Sequence, residues 1–322
     1  MICCSAPGKI FLSGEYAVLL GSPAVVTAVD RRAQASLSSE PDLTSPVIRA
    51  VMAHTSRHLG LVQNDQNGPV VKSAGFRMGR HKLGLGSSAA VAASAVGVMF
   101  EHASLPVSDH RETILEVAKD AHRDAQNGKG SGADVATAVM GGTIIYTLGA
   151  PPRPVKLDGL YIQVVWSGRS VSTTSMIDQV NLFKAARPKQ HNTRMEALSR
   201  LAHTVAAAFT EQNPRNTIRI IRRYAAALDA FGTEAKVPIV TKSHRCLINL
   251  AEELGGAAKP SGAGGGDIAV AFFTSERARE RFRVQCIRHE MPILDIAVDA
   301  PGLIRDFDGI TEKESPPIPN SE

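Results

Sequence analysis

The 322-residue sequence predicts an α+β fold of two domains. Three observations lead there. The chain opens with short apolar segments punctuated by glycine and proline, the pattern of strands joined by tight turns. The second half is dominated by helical patterns. Apolar strands recur within that half, at Tyr161 to Trp166 and Ile268 to Phe273, so strands and helices are interspersed along the chain. At 43% apolar content the chain can bury two cores, or one large core beside a deep cleft.

In order, strands are expected at Ile2 to Ala6, Ile10 to Leu12 and Ala24 to Val29, separated by Gly8, Gly14, Gly21 and Pro23. A helix follows over about Val47 to Gly60, then a strand near Val70 to Phe76 that leads into KLGLGSSAA. Ser87 or Ser88 is placed to cap the next run, AAVAASAVGVMF, which is small or apolar on every face and reads as a buried helix. Asp109 and Glu112 have capping-box spacing before a helix that ends at Asn127-Gly128. A strand near Thr143 to Tyr146 and the turn Ala150 to Pro154 close a first domain of residues 1–158.

The second domain, 159–310, begins with Tyr161 to Trp166. Helices are expected over about Thr173 to Ala186, Arg194 to Phe209, Pro214 to Ala230 and Val240 to Leu254. The glycines from Gly262 to Gly266 precede the strand Ile268 to Phe273, a charged helix from Ser275 and a strand near Ile293 to Val298. The remainder, 311–322, is polar and proline-bearing and is expected to be a disordered tail.

Composition narrows the function classes. A net charge of +5 and 5% aromatic residues leave few rings for base stacking, which argues against nucleic acid. The longest nearly apolar run, Ala89 to Phe100, is too short to span a bilayer. Cys3, Cys4, Cys246 and Cys286 have neither the density of a disulfide framework nor the pairing of a zinc site. A cytoplasmic protein is expected, with lysines focused in a cleft that takes a small anionic substrate.

Four segments could carry chemistry. In KLGLGSSAA, Gly84 and Gly86 let the backbone turn its amides toward one point, ahead of a helix whose first N–H groups attract an anion. The same pattern also serves as an ordinary connector. In APGKIFLSGEYAVL, Lys9 could steady a phosphoryl group or be a solvated strand-end lysine. In GKGSGADVA, Asp134 could accept a proton or cap a helix. In PSGAGGGD, three consecutive glycines let a loop lie directly against a ligand or another backbone.

The order of these four segments, from Ala6 to Asp267, resembles the GHMP kinase family. The resemblance implies a ribosomal protein S5 domain 2-like N-terminal domain and a ferredoxin-like C-terminal domain, with ATP and Mg2+ in the cleft between them. It implies catalytic roles for Lys9, Lys82 and Asp134. ATP would be held by Gly84, Leu85, Gly86, Ser87, Ser88 and Ala89, together with Ser261, Gly262 and Gly264. The acceptor would meet Lys9, Ser131, Gly132, Asp134, Ser172, Thr173 and Gly265, and Ser88 would bind the metal. Mevalonate kinases carry a glutamate eleven residues before the catalytic aspartate; Arg123 stands there, and neither Asp124 nor Glu116 matches that spacing.

GEYAVL, Lys82, GSGAD and WSGRSVSTTS are similar to the phosphomevalonate kinase branch, whereas GSPAVVTAVDRR is similar to mevalonate kinases. The expected acceptor is therefore a phosphorylated small molecule, with extra cleft charge expected from Lys82, Lys129 and Arg169. The alternatives are mevalonate or another GHMP kinase substrate and, further off, a diphosphomevalonate decarboxylase-like enzyme or a non-catalytic sensor. Retention of Lys9 and Asp134 argues against a sensor, and retention of the APGK lysine, Lys9, argues against a decarboxylase-like enzyme.

Overall fold

The structure is a computed structural model that describes residues 2–60 and 67–306; the tail 311–322 lies outside the described residues. The first part of the chain forms β1 (Cys3–Ser13), β2 (Ala24–Ser38), α1 (Pro46–Leu59), β3 (Gly68–Lys72), β4 (Arg77–Met78) and β5 (His81–Lys82). It continues with α2 (Ser87–His102), α3 (Arg111–Ala125), α4 (Ala133–Met140), β6 (Thr143–Tyr146) and β7 (Arg153–Val155). The second part comprises β8 (Tyr161–Trp166), α5 (Thr173–Ala186), α6 (Pro188–Thr210), α7 (Pro214–Ala235) and α8 (Lys242–Glu253). After these come β9 (Ala257–Pro260), β10 (Ile268–Phe273), α9 (Glu276–Arg288), β11 (Ile293–Leu294) and β12 (Ile304–Asp306).

Among the described residues two larger antiparallel sheets and a short β4-β5 pair result. The first has the order β12-β1-β2-β6-β7, with β3 on the far part of β2, and the second the order β11-β8-β10-β9. The expected break at Gly8 is absent because β1 runs straight through it; the register shift against β2 falls between Pro7 and Gly8, a bulge rather than a turn. The end of the chain also departs from the expected division at residue 158. β12 returns to pair with β1, and Leu303 packs where Gly97 leaves α2 without a side chain.

Helix starts follow local chemistry with some exceptions. Ser45 caps α1 through Ile48 N, and Asn213 caps α7 through Asn216 N. The Asp109/Glu112 capping box does not form, because α3 starts later, after His110. The six-residue early start of α6 is set by Pro188 at its first turn. α2 is buried on almost every face, as its composition requires. Both faces of the second sheet are covered: Val164, Ile268, Val270 and Phe272 join the large core, while Val165, Ala269, Ala271 and Phe273 meet α8 and α9. Among the described residues no helix is long and apolar enough to cross a membrane, and all four cysteines are unpaired.

The large core is continuous across the seam between the two parts, joining Ile10, Leu12 and Tyr16 to Phe231, Val237 and Ile268. Polar contacts fix the register of the seam. Phe11 N donates to Ser261 Oγ at 2.8 Å, Tyr16 Oη to Ala263 O at 2.5 Å and Tyr224 Oη to Glu15 O at 2.9 Å. At the centre, Lys259 pairs with Glu15, the two side chains being 0% and 1% exposed. Lys259 Nζ also donates to Phe11 O at 3.2 Å and Pro260 O at 2.8 Å. Burial pushes the Glu15 pKa up and the Lys259 pKa down, and each partner's charge works against that shift in the other. Lys259→Met leaves a buried carboxylate without its cation, and the expected loss of about 3–5 kcal/mol is read as a lower urea midpoint. Glu15→Leu combined with Lys259→Met should recover most of that loss.

Candidate active site

The cleft lies along this seam and has a volume of about 480 Å³. It collects residues from all four motifs, among them Lys9, Lys82, Ser88, Asp134, Thr173 and Gly262. The KLGLGSSAA loop is tied down through its backbone: Lys9 N donates to Leu85 O at 2.8 Å, and Ser170 Oγ donates to Lys82 O at 2.6 Å. Gly84 and Gly86 have φ of 75° and 77°, in the left-handed region. Contact also demands glycine here, since a Cβ on Gly84 would stand 2.6 Å from Asp267 Cβ and one on Gly86 would stand 2.9 Å from Lys9 Cε.

Neither Ser87 nor Ser88 caps α2. Gly86 occupies the N-cap position, so both serines lie in the first turn and face the cleft. The Ser88 hydroxyl is 3.0 Å from His122 Nε2, and Gln126 Nε2 is 2.9 Å from the same ring nitrogen. With the Gln126 amide donating, that nitrogen is an acceptor, and the Ser88 hydroxyl shares it; this orients the serine lone pairs toward the cleft. His122 itself is only 4% exposed.

Lys9 projects from the middle of β1, not from a strand end, and its ammonium lies 3.4 Å from Gly84 O. Burial lowers its pKa, while the charges of Asp134, Asp267 and Glu15 pull it back up. Asp134 sits in the first turn of α4 with Gly132 at the N-cap, and its Oδ1 accepts from Val135 N at 3.0 Å. Asp267 closes the far side. Burial raises its pKa against the opposing effects of the Val171 N–H and Lys9. Lys129 also lines the cleft, with Nζ 2.9 Å from Asp178 Oδ1 in an exposed pair.

Several expected site residues stand behind the cleft surface. Ala89 is fully buried, and its amide donates to Gly86 O at 3.1 Å. Ser261 spends its hydroxyl on Phe11 N, and Ser172 spends its own on Ser175 N as the cap of α5, which presents Thr173 and Thr174 instead. Gly264 packs on Ile239 and Gly265 on Met176, with Gly265 N donating to Ile239 O at 2.9 Å. Gly132 lies against Lys119 and Tyr146. Arg169 departs from expectation: it lines a neighbouring cavity rather than the cleft. The chain folds over Gly266 and Asp267 at that point, with Asp267 N donating to Arg169 O at 2.7 Å.

Sequence reasoning missed His122, Gln126, Tyr16 and Asp267. The signals were present but needed a partner to be read. His122 immediately precedes Arg123, which stands where mevalonate kinases carry a carboxylate, while Tyr16 lies within APGKIFLSGEYAVL and Asp267 ends PSGAGGGD. Taken together, an anion-attracting helix terminus, three lysines and three carboxylates, one of them the Glu15 already paired with Lys259, equip the cleft to hold a polyphosphate and to neutralise a group in transfer.

Comparison with known proteins gives the same direction. The family model described as GHMP kinases N terminal domain matches residues 49–142, and the one described as GHMP kinases C terminal matches 204–291. The chain is 27% identical over 343 residues to a phosphomevalonate kinase of Streptomyces sp. (strain CL190), covering 85% of this chain and 90% of the relative. It is 26% identical over 294 residues to a mevalonate kinase of Archaeoglobus fulgidus, covering 87% and 95%. The solved Streptococcus pneumoniae phosphomevalonate kinase in complex with phosphomevalonate and AMPPNP has a similar fold, with TM-score 0.81, 18% identity, and coverage of 92% of this chain and 100% of that one. The hydrogen bond at Ser88 predicts that His122→Ala weakens a magnesium-loaded polyphosphate by about 3- to 10-fold, and the metal-free anion less, in calorimetric titrations.

Proposed function

We propose, from the premise that this chain belongs to the GHMP kinase family, that it transfers the terminal phosphoryl group of ATP to (R)-5-phosphomevalonate. The observation that carries the choice of acceptor is the set of lysines in one cleft. Lys9, Lys82 and Lys129 line it beside the α2 amino terminus, against Asp134, Asp267 and a Glu15 already paired with Lys259, so cations stand at several points of the cleft rather than at one. Two anionic reactants, a nucleotide and a phosphorylated acceptor, would use cations at separate points. The phosphomevalonate kinase relative, which covers most of both chains, supports the same reading.

Each group then has a role. The first-turn amides of α2 receive the nucleotide phosphates, because they have no partner within the helix. Lys9 offsets charge on the transferring group, and an anion arriving beside it opposes the lowering of its pKa by burial. The acceptor phosphate oxygen attacks the terminal phosphorus of ATP, the bond to ADP breaks, and Asp134 orients the attacking group. Among the described residues no cluster of three or more metal-ligating side chains exists. That fits Mg2+, which keeps waters and substrate phosphates as ligands and needs only one or two protein groups. Ser88 and Asp134 are the groups that would hold it. When bound, the ion neutralises phosphate charge.

A mevalonate kinase reading has its own support in the Archaeoglobus fulgidus relative. The two are separated by ADP release from purified protein supplied with (R)-5-phosphomevalonate, (R)-mevalonate, homoserine or galactose. Turnover with phosphomevalonate is expected; turnover with mevalonate alone would overturn the proposal. A phosphate acceptor is already largely ionised, with its second pKa near about 6, so it needs little base catalysis. Asp134→Asn should therefore cost less than the roughly 10²- to 10⁴-fold typical of a lost general base, measured as kcat with nucleotide affinity unchanged.

A further inference from the structure

A second cavity, of about 530 Å³, lies behind the glycine loop and is not part of the catalytic cleft. Its wall includes four cations, Arg169, Lys236, Lys242 and Arg245, against one carboxylate, Asp229. That carboxylate is already engaged: Arg245 binds it with Nε at 3.0 Å and Nη2 at 2.5 Å. Among the described residues Arg169, Lys236 and Lys242 form no ion pair. Three uncompensated cations therefore converge on one concavity. Thr233, Thr241 and Ser243 add hydroxyls to the same wall. The first amides of α8, at Lys242 and Ser243, open there too, since Thr241 is the N-cap.

This chemistry selects a small polyanion. Unpaired cations, hydroxyl donors and free amides all complement phosphoryl oxygens, and Val237, Pro238 and Val240 form the apolar part of the same wall. The position matters as well. Ile239, between Val237 and Val240 of the cavity wall, accepts the Gly265 amide, and the backbone carbonyl of Arg169 accepts the Asp267 amide. The cavity is thus one hydrogen bond away from the loop that carries Gly262 and Asp267 into the cleft.

We infer that this cavity is an accessory binding site for a compound bearing a diphosphate or comparable phosphoryl anion, distinct from the catalytic cleft and hydrogen-bonded to its glycine loop. The inference does not depend on which acceptor the cleft takes. Pyrophosphate is the probe, added to the full-length protein and followed by amide NMR shifts. The amides of 241–243 should move in one saturable step with their own dissociation constant, separate from the step seen at 86–88. Lys236→Ala combined with Lys242→Ala should weaken the step at 241 and 243 at least about tenfold while leaving that at 86–88 and the melting temperature in place. Repeating the titration with ADP and with a phosphate monoester lacking a nucleobase separates a nucleotide occupant from a non-nucleotide one. The site is ruled out if residues 241–243 do not respond, if their response survives the double substitution, or if it follows the cleft step and vanishes with Lys9→Ala.

Discussion

A buried ion pair, Lys259 with Glu15, sits where the two parts of the chain meet, and the cleft is organised around it. Its desolvation is costly, and it is tolerated because the ammonium is also held by the carbonyls of Phe11 and Pro260. Those contacts tie the end of β1 to β9. The Glu15 carbonyl takes the Tyr224 hydroxyl, and Tyr16, at φ 61°, is held by its own hydroxyl on Ala263 and its ring against Phe231. Lysine and glutamate therefore set the angle at which the two glycine-rich loops face each other.

With that angle fixed, the site needs very little side-chain volume. Asp267 presses on Gly84, and the stem of Lys9 presses on Gly86; a methyl group at either glycine would displace a charged group. The loops present mainly backbone to the cleft, so the few charged side chains are left to supply sign and position. Burial weakens the charged forms of Lys9 and Asp267 separately, and their opposite signs offset part of that effect in each. Ser88, in the first turn of α2, is held from behind by the buried His122.

The strands, the buried helix α2 and the four motifs were legible in sequence because each depends on local period, turn chemistry or glycine content. Element ends were less so. A bulge at Pro7 and Gly8 looks like a turn, and the capping box at Asp109 lost to a later start at Arg111. The roles of Ser172 and Ser261 also reversed, since a hydroxyl near a ligand loop reads alike whether it caps a helix, bridges a seam or faces the cleft.

The sequence by itself determined the family, the two-domain α+β fold class and the segments that line the cleft, because motif order and hydrophobic period are properties of neighbours along the chain. Tertiary structure alone decided which charges share a space. Arg169 and Lys82 look equivalent beside their motifs, yet one faces the rear cavity and the other the cleft. His122 reaches Ser88 across 34 positions and Lys259 reaches Glu15 across 244. Such pairings arise from packing distant segments around a common core, which no local pattern encodes.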